Sequence, residues 1–430
     1  MEQLLKTEDF KPEKAVIAGL CADSMDPRDR STEESLDELE ALLETAGGVC
    51  LGSVLQNRKT PEPRTFIGGG KVGELKELAE ANECTLAVFD NELSPSQMNA
   101  LSEDLGLRVI DRSSLILDIF AGRAKTREGR LQVELAQYKY LLPRLTGMWK
   151  HLTSQTGSSA PIGTRGPGET QLETDRRHIR RKITKLEEEL GEVLRTRDTQ
   201  RKLREKNKVP VVALVGYTNA GKSTLLNTLT GAGIQAEDRL FDTLDTTTRR
   251  LTVSATTETL ISDTVGFIRK LPHHLVEAFK ATLEELRYAD ILIHVIDASS
   301  PEWQEQARVV DDLIMELGAS ETPRIEAFNK CDVYTAEIRP HGENIVEISA
   351  KTGQGMDALL KKIDELLSSA NERVTLRLPY DKGALVEMLH REGVVTGLRY
   401  LESCIELDAV IGPSLYGRVK GFIVPSLVKI

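Results

Sequence analysis

One eight-residue segment constrains this 430-residue chain more than any other: Gly216-Tyr-Thr-Asn-Ala-Gly221-Lys222-Ser223. It follows the apolar run Val211–Val215 and opens the helical stretch Lys222–Thr230. A buried strand that turns through glycines straight into a helix is half of a βαβ unit, and it commits this region to a parallel sheet covered by helices. The glycines let successive backbone N–H groups curl around phosphate oxygens, and the helix N-terminus adds partial positive charge. Lys222 then reaches the outer phosphates and the Ser223 hydroxyl can ligate Mg²⁺. The loop thus nominates Gly216, Tyr217, Thr218, Asn219, Ala220, Gly221, Lys222, Ser223 and Thr224 as phosphate-binding residues.

Three further segments follow in order. Asp263-Thr264-Val265-Gly266 ends the next core strand, Leu260–Ser262. An acid there can hold magnesium through water, and the Gly266 N–H can meet a γ-phosphate. Asn329-Lys330-Cys331-Asp332 follows strand Arg324–Phe328, and Ser349-Ala350-Lys351 follows strand Ile345–Ile348. A carboxylate at Asp332 can accept from both N1–H and the 2-amino group of guanine. Adenine lacks those donors, and leaving polar groups unmatched is costly. Asn329 can bond the other edge of the base, the stems of Lys330 and Lys351 can sandwich it, and the Ala350 N–H can favour O6. The four segments together predict a GTP/GDP site with Mg²⁺, in which Lys222 and Gly266 act on the terminal phosphate. Hydrolysis also needs an aligned water, which many GTPases orient with a glutamine just after the D-x-x-G segment. Here that position is Phe267, so slow hydrolysis is expected until a partner orders the site.

Strand and helix patterns alternate on both sides of a different middle. In residues 1–120, Ala15–Ala18, Val49–Val54, Leu86–Phe89 and Leu107–Ile110 read as strands, with Ser35–Thr45, Val72–Ala81 and Ser96–Leu105 as helices between them. This is an N-terminal α/β domain with a parallel sheet. In residues 121–208, Leu131, Leu135, Tyr138, Leu142 and Leu145 step by three and four, as do Ile179, Ile183, Leu186, Leu190 and Val193. Both are helical seams, and between them Gly, Pro and Ser crowd residues 153–168, which predicts an antiparallel helical hairpin with an irregular tip. A helix over Gln171–Lys206 would be roughly 54 Å long. Residues 209–370 resume the doubly wound pattern, including a helix over Pro272–Arg287, and 371–430 read as a small α+β domain.

Net charge is −11, yet residues 121–208 hold 21 Lys and Arg against 11 Asp and Glu. A basic segment in an acidic protein fits local binding to a polyanion, and Arg176-Arg177-His178-Ile-Arg180-Arg181-Lys182 with Lys185 concentrates that charge beside the tip, which carries Arg165. The five cysteines are scattered without a C-x-x-C, which argues against a disulfide framework or zinc site. No apolar run approaches the roughly 18 residues of a membrane span, and the acidic N-terminus does not read as a targeting peptide. A cytoplasmic monomer is expected.

With these motifs on the page, the sequence resembles translation-factor-related GTPases near the Obg group. The resemblance narrows to the HflX family through Phe241-Asp242-Thr243-Leu244-Asp245-Thr-Thr-Thr-Arg-Arg250, Gly68-Gly-Gly-Lys71, Gly163-Thr-Arg-Gly-Pro-Gly-Glu-Thr-Gln-Leu-Glu173 and the helix beginning Asp175-Arg-Arg-His178. It implies that the first of these is a nucleotide-sensing switch in which Thr243 joins Ser223 as a magnesium ligand and acts in catalysis. Where that family has alanine and proline, this chain has Asp242 and Thr246. The resemblance further implies association of residues 121–208 with the rRNA of the large ribosomal subunit, and splitting or rescue of stalled ribosomes under stress. Two alternatives stand beside it: a GTP-gated adaptor for a protein partner without RNA contact, and ATP-dependent remodelling through the N-terminal domain. Weaker signals read as structural: Gly68–Lys71 as a tight turn, Asp90 and Asp111 as helix caps or turn residues, Arg249 and Arg250 as solvated or paired charges, and His273-His274 as surface or packing histidines.

Overall fold

The computed structural model describes residues 12–154, 167–207, 209–231, 240–241, 247–254, 257–272, 275, 279, 284–333, 342–369, 372–411 and 419–424. The first unit alternates β1 (Glu13–Ala22), α1 (Glu33–Thr45), β2 (Gly48–Arg58), α2 (Gly69–Ala81), β3 (Leu86–Phe89), α3 (Pro95–Leu105) and β4 (Arg108–Asp111). Its four strands form a parallel sheet in the order β2-β1-β3-β4. Alternate β1 residues enter two different cores, Ala15 and Ile17 on one face and Val16, Ala18 and Leu20 on the other, so both faces are covered. That is why β1 is apolar from Ala15 onwards rather than alternating. The strand order reverses between β1 and β3, and the crevice at the carboxyl ends of such a pair is where sheets of this kind bind ligands. Asp90 stands at that position, immediately after β3.

The sequence pattern did not single out the next helix, α4 (Arg112–Arg123). Leu115, Ile116, Leu117, Ile119 and Phe120 are all buried, which leaves no broad polar face and hence no clear 3.6-residue period. Asp111 caps it by accepting from Ser114 N–H at 2.9 Å. Two long helices follow, α5 (Arg127–Ser154) and α6 (Pro167–Asn207). The expected seams meet: Leu131 and Leu135 pack on Leu186 and Leu190, flanked by Tyr138, Ile183 and Val193. Antiparallel pairing is fixed by Arg197–Glu128 at 2.7 Å and Lys139–Glu187 at 2.9 Å. The helices extend slightly into the expected tip, while residues 155–166 lie outside the described residues.

The third unit contains β5 (Val211–Gly216), α7 (Lys222–Thr230), β6 (Thr247–Thr252), β7 (Glu258–Asp263), β8 (Ile291–Asp297), α8 (Trp303–Glu316), β9 (Arg324–Asn329), β10 (Ile345–Glu347) and α9 (Met356–Ser369). Its sheet runs β10-β9-β8-β5-β7-β6, with β6 antiparallel at one edge. Of the expected helix over Pro272–Arg287, most lies outside the described residues, and its end is a 3-10 turn, Glu284–Tyr288. The last unit pairs β11 (Glu372–Pro379), β12 (Val394–Tyr400) and β13 (Cys404–Ile411) in an antiparallel sheet, with α10 (Gly383–Glu392) against it. The whole is an α/β chain built around a doubly wound, mainly parallel sheet.

Candidate nucleotide site

β5 is central in its sheet, so the loop after it opens at the carboxyl ends of neighbouring strands. Gly216 is required by a close approach: a Cβ there would lie 2.3 Å from Val295 O. Gly221 has φ +93°, and a Cβ there would lie 2.2 Å from Asn329 Nδ2. Lys222 folds back over the loop, donating to Gly216 O at 3.0 Å and Tyr217 O at 2.7 Å. Its burial pushes the ammonium pKa down to about 8, against the opposing pull of Asp263. The Ser223 hydroxyl donates to Asp263 Oδ2 at 2.6 Å. A hydroxyl and a carboxylate so close are hard oxygen donors of the kind Mg²⁺ takes. Thr264 is occupied differently, donating to Leu214 O at 2.7 Å and so locking β7 to β5.

The guanine-reading segments are joined to the phosphate loop through one side chain. Asn329 Nδ2 donates to Ala220 O at 2.8 Å, and its Oδ1 accepts from Ala350 N–H at 2.9 Å. Asn329 therefore fixes two loops relative to each other, a role that its place in the motif does not announce. Ala350 O accepts in turn from the Thr228 hydroxyl at 2.6 Å. Lys330 has φ +65° and pairs with Asp297 at 2.8 Å. Cys331 N–H is held by Ile348 O at 3.1 Å. Asp332 and Lys351 are exposed, and the Ser349 hydroxyl first, then Lys351 and Lys330, hold the Asp332 carboxyl below its ordinary range.

On the other side the site is walled by the first unit. Phe267 is 1 % exposed, and Phe241, which the switch motif had placed beside the nucleotide, packs edge-on against Phe120 of α4 at 4.8 Å. Both belong to one core shared with α1 and α4, as do Val265 and Ile268. Asp242, Thr243, Leu244 and Asp245 lie outside the described residues, as do His273 and His274. Polar links reinforce this wall. The Tyr217 hydroxyl donates to Glu38 and accepts from Arg269 N–H at 2.8 Å. Arg112 is buried between Glu38 and Asp90, reaching Asp90 Oδ1 at 2.8 Å. Lys270 donates to Asp90 as well, alongside the Ser31 and Ser35 hydroxyls. Burial pushes the Asp90 carboxyl up, but Arg112 and Lys270 outweigh it and hold it below its ordinary value. Asp90 is thus neither a cap nor a turn residue: it anchors the third unit in the crevice of the first. Asp111, paired in the sheet with Phe89, binds Tyr140 at 2.7 Å and Arg144 at 3.1 Å on α5, fixing the root of the helical pair to the same unit.

The remaining motifs fall where the bland readings put them. Gly68 is the extended N-cap of α2, its N–H meeting Gln56 Oε1 at 2.8 Å, and Lys71 in the first turn of that helix pairs with Glu74 at 2.8 Å. Arg249 and Arg250 are exposed on β6. In the basic run, Lys182 pairs with Glu134 at 3.8 Å and Lys185 with Glu189 at 3.7 Å, while Arg177, Arg180 and Arg181 are exposed.

Family models match the chain nearly end to end: a GTP-binding GTPase N-terminal region over 33–121, its middle region over 123–204, a 50S ribosome-binding GTPase domain over 211–330 and an HflX C-terminal domain over 336–412. The GTPase HflX of Caldanaerobacter subterraneus subsp. tengcongensis is 46 % identical over 425 residues, covering 99 % of this chain and 96 % of that one. The chain belongs to the HflX family. The HflX GTPase of Escherichia coli is 47 % identical over 358 residues, covering 82 % of this chain and 83 % of the other. A GTP-binding protein of Sulfolobus solfataricus, solved in complex with GDP, aligns over 82 % of this chain and 98 % of that one at 24 % identity, with a TM-score of 0.43. As a member of the HflX family the chain binds and hydrolyses GTP.

Proposed function

We propose that this GTPase associates with the large ribosomal subunit through the rRNA, using the basic helical pair of residues 121–208, and that the bound nucleotide governs the association. In this reading it works as a cytoplasmic monomer that splits or rescues stalled ribosomes under stress. Lys222 and Gly266 hold the terminal phosphate, Ser223 and Thr243 hold Mg²⁺, and Asp332 with Ala350 reads guanine. One observation carries the reading: the wall of the nucleotide site is the unit that roots the helical pair. Tyr217 of the phosphate loop and Lys270 of the segment after Gly266 bind Glu38 and Asp90, while Asp111 beside Arg112 holds α5. A γ-phosphate that draws in Gly266 must displace or strain these links, which gives the nucleotide differential contacts in two states. The exposed arginines supply phosphate contacts. Converting Arg177, Arg180 and Arg181 to glutamine should weaken binding to large subunits and flatten the log–log salt dependence by about one per lost contact, roughly three in all. An unchanged slope points to the protein-adaptor alternative.

A further inference from the structure

Phe267 leaves the hydrolytic water without a polar side chain at the usual place, and one polar side-chain atom nearby is buried with no partner. Thr218 is 6 % exposed, and among the described residues its Oγ1 makes no hydrogen bond. Burying an unsatisfied hydroxyl costs about 1–3 kcal/mol, and native folds pair nearly all such groups, so a partner that arrives with the substrate is the economical explanation. The surroundings locate that partner. Thr218 N–H donates to Phe267 O at 2.7 Å, and Phe267 N–H donates to Gly216 O at 3.2 Å, so Thr218 is stapled to the segment carrying the missing glutamine. A Cβ on Gly266 would lie 2.9 Å from Thr218 Cγ2 and 3.0 Å from Lys222 Nζ. The Thr218 side chain, whose methyl is its nearest atom to Gly266, therefore lies with the ammonium and the Gly266 backbone between the phosphate loop and the segment that senses the terminal phosphate.

We propose that the Thr218 hydroxyl holds the attacking water in GTP hydrolysis, in the role that Phe267 cannot fill. The water donates one hydrogen bond to Thr218 Oγ1, which orients its lone pair towards the γ-phosphorus. The water oxygen forms a bond to that phosphorus as the bond to the β–γ bridging oxygen breaks, and the bridging oxygen leaves with the electron pair as part of GDP. The proton released from the water passes to a γ-phosphate oxygen, giving dihydrogen phosphate. Thr218 itself neither gains nor loses a proton, so its contribution is orientation and not acid–base chemistry.

The test is single-turnover GTP hydrolysis by the full chain carrying Thr218→Val, which keeps the shape and removes the hydroxyl, or Thr218→Ser, which keeps the hydroxyl. Affinities for GDP and for a non-hydrolysable GTP analogue are measured alongside. The valine variant should hydrolyse roughly tenfold to a hundredfold more slowly, the scale of losing one positioning hydrogen bond. Its two affinities should stay within about threefold of the parent, and serine should restore most of the rate. Three results overturn the proposal: a valine variant with the parental rate; a loss of analogue affinity as large as the loss of rate, which assigns the hydroxyl to ground-state phosphate binding; or a serine variant as slow as valine, which assigns the effect to shape. Should valine prevent folding, Thr218→Ala read against Thr218→Ser decides by the same criteria.

Discussion

Replacing Arg112 with methionine removes a guanidinium that is 2 % exposed and that neutralises two carboxylates from opposite sides, Asp90 at 2.8 Å and Glu38. Methionine fills much of the same volume, so the main effect is electrostatic: Asp90 keeps Lys270 and its serine donors, while Glu38 keeps the Tyr217 hydroxyl and the weaker attraction of Arg269. Removing one partner of a buried ion pair costs about 3–5 kcal/mol. For a unit of little more than 100 residues, each kcal/mol moves the midpoint by about 4 °C, so the transition of the N-terminal unit should fall by roughly 12–20 °C. Differential scanning calorimetry resolves it, because the units of a chain this size need not unfold in one step. Adding Glu38→Gln should return part of the loss, since it removes the carboxylate left uncompensated. The sign with pH is also fixed. Asp90 titrates below its ordinary 3.8 in the folded protein, so its stabilisation is complete above that value and is lost as pH falls through the folded pKa. A midpoint within about 2 °C of the parent, or a double variant no better than the single, would refute the reasoning.

Two further outcomes follow from the nucleotide site. Lys222, with a pKa of about 8, is half deprotonated at that pH, and a polyphosphate restores its charge. Calorimetric titration of GDP at pH 8 in buffers of different ionisation enthalpy should therefore show uptake of roughly half a proton per site, fading towards pH 6.5, and its absence would sink the assignment. Asp332→Asn should lower GTP affinity by roughly 100-fold or more, the loss of two hydrogen bonds to a charged acceptor, while xanthosine triphosphate, with a carbonyl in place of the 2-amino group, loses far less.

Local chemistry made much of this molecule readable in advance. The strand–glycine–helix logic at Gly216–Ser223 and the two seams through Leu131 and Leu186 depend on residues close in sequence, and the structure holds them as expected. What stayed hidden depends on partners that sequence spacing does not announce. Asp90 meets Lys270 across 180 positions, and Tyr217 meets Glu38 across 179, so neither pairing leaves a periodic trace. Helix α4 carries no clear periodic signal because it is packed from two sides and lacks the polar face that marks a surface helix. Edge strand β6, mostly polar and with two exposed arginines at its centre, lacks the apolar signature of the strand it borders. Asn329 shows a different limit: its type was legible, but whether its amide faces the base or braces Ala220 against Ala350 is decided only by three-dimensional packing.

The most direct measurement is the equilibrium affinity of the full chain for purified large ribosomal subunits with the nucleotide site empty, filled with GDP, or filled with a non-hydrolysable triphosphate. Coupling between sites is typically about 1–3 kcal/mol, so the triphosphate form should bind roughly 5–150-fold more tightly than the GDP form. Equal affinity in all three states would contradict the account.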